Sequence, residues 1–190
     1  MEDFVVLSLI AVFLLIILSA FFSGSETALT AASRPLLTHL EADGNKRATT
    51  VLRLLNLRER LIGSILLGNN LVNILASALA TSLLIGWAGD AGVAYATLIM
   101  TSLILVFAEV LPKTYALRHS TRAALTVAPL IKIFVVLLSP IVITIEAIVG
   151  LALRLFGADK KTVAMLVSPQ EEILSAIKMH TKEGLIVKNE

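Results

Sequence analysis

The chain has 190 residues, 57% of them hydrophobic and 16% charged, with 16 Lys and Arg against 14 Asp and Glu. A soluble domain carries about 25% charged residues, so this composition points to an integral membrane protein, and a net charge of +2 argues against nucleic acid as a partner. With no cysteine, disulfides, thiolate metal sites and thiol nucleophiles are excluded.

The first predicted element is a membrane helix over about residues 4–30, because no charge occurs from Phe4 to Ser25, a run of 22 residues. Its leader, Met1-Glu2-Asp3, is acidic, unlike the basic start of a cleaved signal peptide. Residues 26–60 then hold ten charges. Within them Ser33-Arg34-Pro35 opens a short helix and Asp43-Gly44-Asn45 ends it. A second helix follows with an apolar face of Val51, Leu52, Leu54 and Leu55, so the segment reads as a helical hairpin outside the bilayer. The uncharged run Leu61–Gly89, 29 residues, predicts a second span over about 61–87. After the short turn Gly86–Asp90, the 18 uncharged residues from Ala91 to Ala108 predict a third, over about 91–115.

Lys and Arg orient these spans. Arg34, Lys46, Arg47, Arg53, Arg58 and Arg60 lie in the hairpin, none lies in the Trp87 turn, and Lys113, Arg118 and Arg122 follow the third span. The positive-inside rule therefore places the N-terminus outside and the hairpin and C-terminus in the cytoplasm, and the expected location is the plasma (inner) membrane. Residues 120–157 are apolar but interrupted by Lys132 and Glu146, with Pro129 and Pro140 opposing a continuous helix. They are expected to form a broken belt of helices at the cytoplasmic interface, with an ordinary fourth span as the alternative. Residues 158–190 read as a cytosolic linker whose helix starts at Ser168-Pro169-Gln170-Glu171-Glu172, and the sequence stops as an excised piece would. The expected fold class is thus an all-α integral membrane domain of three transmembrane helices, a cytoplasmic hairpin and a broken juxtamembrane belt.

Polar groups at membrane depth carry the functional information, because each needs an internal partner or a task. Ser19 and Ser23 are one helical turn apart on the first span, next to Gly24 and Ser25. On the second, Gly68-Asn69-Asn70-Leu71-Val72-Asn73 sets Asn70 and Asn73 on a shared face. On the third, Glu109 precedes Pro112-Lys113, and Pro112 leaves the Ala108 carbonyl without its helical donor. The three clusters fall at overlapping depth, between the midplane and the inner leaflet. All offer oxygen and only one carries charge, which suits a hard cation such as Mg²⁺ or Na⁺ rather than zinc or copper. Each also has a structural reading: serines bonding back to the helix, asparagines joining helices, and Glu109 pairing with Lys113 at i,i+4. No Ser/His or paired Asp arrangement lies at this depth, so an enzyme is not expected.

Four ordered motifs, LSAFFSGSETAL (Leu18–Leu29), DGNKRA (Asp43–Ala48), LIGSILLGNNLVNI (Leu61–Ile74) and FAEVLPKTYA (Phe107–Ala116), resemble the transmembrane domain of the cyclin M / CorC magnesium transporters. The resemblance implies a homodimer that exports Mg²⁺ in exchange for Na⁺, with cytosolic CBS domains in the full-length chain and SPQEEILSAIKMHTKEGLI as the linker toward them. It implies a metal site of Ser19, Ser23, Asn70 and Glu109, supported by Gly68, Asn69, Asn73, Pro112 and Lys113. A membrane Mg²⁺ sensor without transport of its own uses the same ligands and stays open as the alternative, as does a channel.

Overall fold

A computed structural model describes residues 2–155; the expected linker over 158–190, including the Ser168 helix start, lies outside the described residues. Every described element is helical: α1 (Glu2–Ala31), α2 (Arg34–Ala42), α3 (Lys46–Asn56), α4 (Arg58–Ala88), α5 (Ala91–Leu103), a π-helical stretch (Ile104–Val110), α6 (Leu111–Arg118) and α7 (Ser120–Leu155). Four segments are long and apolar enough to cross a membrane: Val5–Ala31, Arg58–Ala88, Ala91–Arg118 and Ser120–Ala152. Exposed Leu, Ile, Val and Phe along α1, α4, α5 and α7 form the lipid-compatible surface such segments require.

The chain divides into two compact units, Met1–Ile143 and Thr144–Glu190. In the second, the described residues are the last turns of α7, exposed at nearly every position.

The hairpin folds as its apolar spacing requires. Gly44 takes a positive φ of 82° to turn the chain, and Asn45 caps α3 by accepting from the amides of Arg47 and Ala48 at 3.0 and 3.3 Å. Leu37 of α2 and Ala48, Val51, Leu54 and Leu55 of α3 are buried, and Leu52 packs at the edge. They share one core with Ala28 and Leu29 of α1, Leu61 and Ile65 of α4, and Ala124, Ala128 and Ile131 of α7. The hairpin is therefore built into the foot of the bundle. A smaller cluster of Val12, Ala76, Ala80 and Met100 holds α1, α4 and α5 together nearer the other end.

The expected breaks at Pro129 and Pro140 do not occur among the described residues 120–155. α7 runs uninterrupted from Ser120 to Leu155 with Pro129 and Pro140 inside it. Each proline removes a single helical hydrogen bond, which apolar helices tolerate when neighbours repack around the freed carbonyl. Here Ala128, Ile131, Val135 and Val142 are buried on the same side of α7, and Phe134 stacks edge-on against Phe22 at 4.9 Å between ring centroids. Packing on α1 thus fixes the helix through both prolines.

Candidate functional site

Small residues decide where α1 meets its neighbours. Ser19, Ser23 and Gly24 replace the Leu, Ile and Phe that fill the rest of the helix, so other backbones approach closely there. Gly68 of α4 lies flat on the Phe22 ring: a Cβ at that position would stand 2.8 Å from Phe22 Cζ. On the adjoining side, a Cβ on Gly24 would stand 3.3 Å from Cβ of Pro112. These two contacts seat α1 between α4 and the third membrane segment.

A chain of polar groups crosses that junction. Ser19 Oγ donates to Asn69 Oδ1 at 2.8 Å, with Ser19 fully buried and Asn69 nearly so. Asn69 Nδ2 in turn points at Glu109 Oε1 at 3.5 Å, the outer limit of a hydrogen bond and therefore weak. Glu109 Oε2 accepts from Lys113 Nζ at 3.0 Å, one turn along, with the two side chains 32% and 39% exposed. Half-open pairs of this kind contribute under about 1 kcal/mol to stability, so the bridge orients the carboxylate more than it secures the fold.

Four buried oxygens carry no partner among the described residues: Ser23, Ser25 and Ser64 Oγ, and Asn73 Oδ1. Leaving a buried oxygen unpaired costs about 1–3 kcal/mol, so each of these groups calls for an explanation beyond packing. Ser23 is the most pointed case, one turn below Ser19 on α1 and 1% exposed. Among the described residues no three acidic or imidazole groups gather as a metal cage. One carboxylate with neutral oxygens can hold a hard cation and also release it.

Glu109 owes its placement to the backbone around it. From Ile104 to Val110 the helix widens to a π-helical turn, with the Leu111 amide donating to the Val106 carbonyl five residues back. Pro112, in the first turn of α6, follows immediately. The irregularity expected at Pro112 thus takes the form of a wide turn that absorbs the missing donor without kinking the chain apart. Such turns are frequent at functional sites, and Glu109 lies within this one.

Of the residues expected in the ligand set, Ser19 and Glu109 are linked through Asn69, and Ser23 is buried one turn from Ser19 on the same helix. Asn70 does not: it lies on the exposed side of α4, and its neighbour Asn69 occupies the interior position. Adjacent helical residues diverge by about 100°, so only one of two consecutive asparagines can face α1. Asn73 shares the inner face with Asn69, four residues away, rather than with Asn70. Among the supporting residues, Gly68 and Pro112 act through the close contacts described, and Lys113 through Glu109.

The cyclin M transmembrane N-terminal domain family matches residues 9–190. A UPF0053 inner membrane protein, YfjD, of Escherichia coli is 41% identical over 160 residues, covering 84% of this chain and 37% of its own length. A UPF0053 protein of Haemophilus influenzae is 44% identical over 124 residues, 64% of this chain and 30% of that protein. One from Synechocystis is 30% identical over 194 residues, 95% of this chain and 43% of that protein. The chain therefore spans less than half the length of these curated relatives.

Proposed function

Since the chain belongs to the cyclin M transmembrane domain family, a family of multi-pass membrane domains, we propose that it carries Mg²⁺ across a membrane, holding the ion by Ser19, Ser23, Asn69 and Glu109. The observation that supports this most is the polar chain Ser19–Asn69–Glu109, three oxygen-bearing side chains from three membrane segments, with the buried, unpartnered Ser23 hydroxyl one turn from Ser19 on α1. Magnesium takes oxygen ligands and gives up its waters reluctantly, so a single carboxylate with neutral oxygens suits transient binding. Asn69 replaces Asn70 in the ligand set on the strength of its burial.

Lys113 has a defined part in this reading. Its ammonium sits on Glu109 Oε2 and supplies the positive charge that the carboxylate needs in a low-dielectric setting. An arriving cation takes over that role and releases the lysine, so the site is never left as a bare anion. Three helical segments meeting at the ion give the motion a lever, since rocking α1 against the other two opens the junction on one side or the other.

Sodium as the exchanged ion, a homodimeric assembly, CBS domains in the full-length protein, and a cytoplasmic hairpin with an external N-terminus belong to the same proposal. The orientation is supported by the six Lys and Arg of the hairpin against none in the Trp87 turn. The test is Mg²⁺ flux into proteoliposomes bearing the full-length protein. Saturable flux that disappears in Glu109→Gln supports a carrier; Mg²⁺ binding without any flux would make the protein a sensor, and ohmic conductance would make it a channel.

A further inference from the structure

Glu109 also borders a second space. Glu109 is among the residues lining an open groove of about 430 Å³ between α4 and α5, whose walls include Ser77 and Thr81 on α4 and the exposed Thr97 and Thr101 on α5. Each pair is one helical turn apart, so two columns of hydroxyls line opposite walls. Among the described residues Glu109 is the one charged side chain in this groove.

The two columns occupy the same stretch of the bundle. α4 and α5 run antiparallel about the turn at Gly89, which takes a positive φ of 57°. Gly92 then lets α5 start in backbone contact with α4, since a Cβ there would overlap the Leu84 carbonyl. Thr81 lies twelve residues from Asn69 toward the turn, and Thr97 lies twelve residues from Glu109 in the same direction. At 1.5 Å per residue the hydroxyls reach about 18 Å from the polar junction toward the Trp87 turn.

Their hydrogen bonding favours cations. Thr81 Oγ1 donates to the Ser77 carbonyl at 2.7 Å, and Thr97 Oγ1 to the Val93 carbonyl at 2.8 Å. A hydroxyl whose proton is committed to the helix behind it presents only lone pairs to the space in front. Lone pairs on both walls, leading to a carboxylate, are what a partly hydrated cation needs along its way.

We infer that this groove is the water-filled passage by which a divalent cation moves between the Trp87-turn side of the membrane and Glu109. The inference rests on the reading of Glu109 as part of the cation site, and it adds the route and its four hydroxyl residues. Ser77, Thr81, Thr97 and Thr101 act on passage and leave the affinity of the Ser19–Asn69–Glu109 site unchanged.

The chain contains no cysteine, so accessibility is read directly from single-cysteine variants. In the full-length protein, with any cysteine outside this region replaced by serine, Thr101→Cys and Thr81→Cys are treated in proteoliposomes with membrane-impermeant cationic and anionic methanethiosulfonates. Leu98→Cys, on the exposed face of α5 outside the groove, is the lipid-facing control. The expected result is that Thr101→Cys and Thr81→Cys react, the cationic reagent about tenfold faster than the anionic, and that Glu109→Gln removes this preference. Thr97→Val with Thr101→Val should lower Mg²⁺ flux at least about fivefold while the Mg²⁺-induced rise in unfolding temperature persists. The passage is overturned if Thr101→Cys reacts no faster than Leu98→Cys, as it would with lipid or a second copy in the groove, or if the double valine variant transports at full rate. If the cysteines react as expected but wild type shows no Mg²⁺ flux, the transport proposal fails and the aqueous groove stands.

Discussion

Replacing Asn69 by leucine, and separately Asn70, divides the two consecutive asparagines by function. Asn69 joins Ser19 at 2.8 Å and reaches Glu109 at 3.5 Å, whereas Asn70 is exposed. Interhelical hydrogen bonds in membranes contribute about 0.6 kcal/mol on average and rarely more than about 1.7, so Asn69→Leu should lower ion-free stability only modestly. The effect on binding is larger, because loss of a group that ligates or orients a ligand weakens metal affinity by about 10–100-fold. At Mg²⁺ a hundred times its dissociation constant, binding stabilises the fold by about 2.7 kcal/mol. With affinity reduced tenfold that figure becomes about 1.4 kcal/mol, and with a hundredfold reduction about 0.4. The Mg²⁺-induced rise in unfolding temperature of purified full-length protein should therefore shrink to between about half and one-seventh of its wild-type value. Asn70→Leu should leave it unchanged, since a surface substitution shifts stability by no more than about 0.5 kcal/mol. A full Mg²⁺ response in Asn69→Leu, or its loss in Asn70→Leu alone, would refute the assignment of the inner face.

Lys113→Met removes the ammonium that competes for Glu109 and should tighten Mg²⁺ binding about twofold, as expected from releasing an ion pair of roughly 0.5 kcal/mol, measured by titration calorimetry. Ser23→Ala deletes a buried hydroxyl that has no partner among the described residues, so it should leave ion-free stability intact or improve it while weakening Mg²⁺ binding; equal loss of both would assign Ser23 to packing. Gly92→Ala should destabilise by about 1–3 kcal/mol, because its Cβ meets the rigid backbone of Leu84, whereas Gly86→Ala, with open space around it, should be neutral or slightly stabilising in a thermal melt.

What the sequence disclosed about this fold followed from signals local to each segment. Uncharged runs located α1, α4 and α5, and the Val51, Leu54, Leu55 spacing located the buried face of α3, because length and periodicity are properties of one helix alone. The choice between Asn69 and Asn70 was not available that way. α4 is apolar nearly all round, so its composition gives little sense of which side meets α1, and the contact of Gly68 with Phe22 sets the rotation. Pro112 marked irregular backbone, but the widening to a π turn depends on the Leu111 amide selecting the Val106 carbonyl. Pro129 and Pro140 argued for breaks in α7 on local grounds, and burial of Ile131, Val135 and Val142 overrode them. The hydroxyl columns went unread in the sequence, because their meeting depends on the register set at Gly92.

In the proposed mechanism one carboxylate, Glu109, joins the Ser19–Asn69 pair in carrying Mg²⁺. It is tested most directly by Mg²⁺ flux into proteoliposomes containing full-length wild type or Glu109→Gln at equal density, each checked for folding by its ion-free melting curve. Wild type should show saturable Mg²⁺ flux, and Glu109→Gln should abolish it with the ion-free melt retained. Undiminished flux in Glu109→Gln would contradict it.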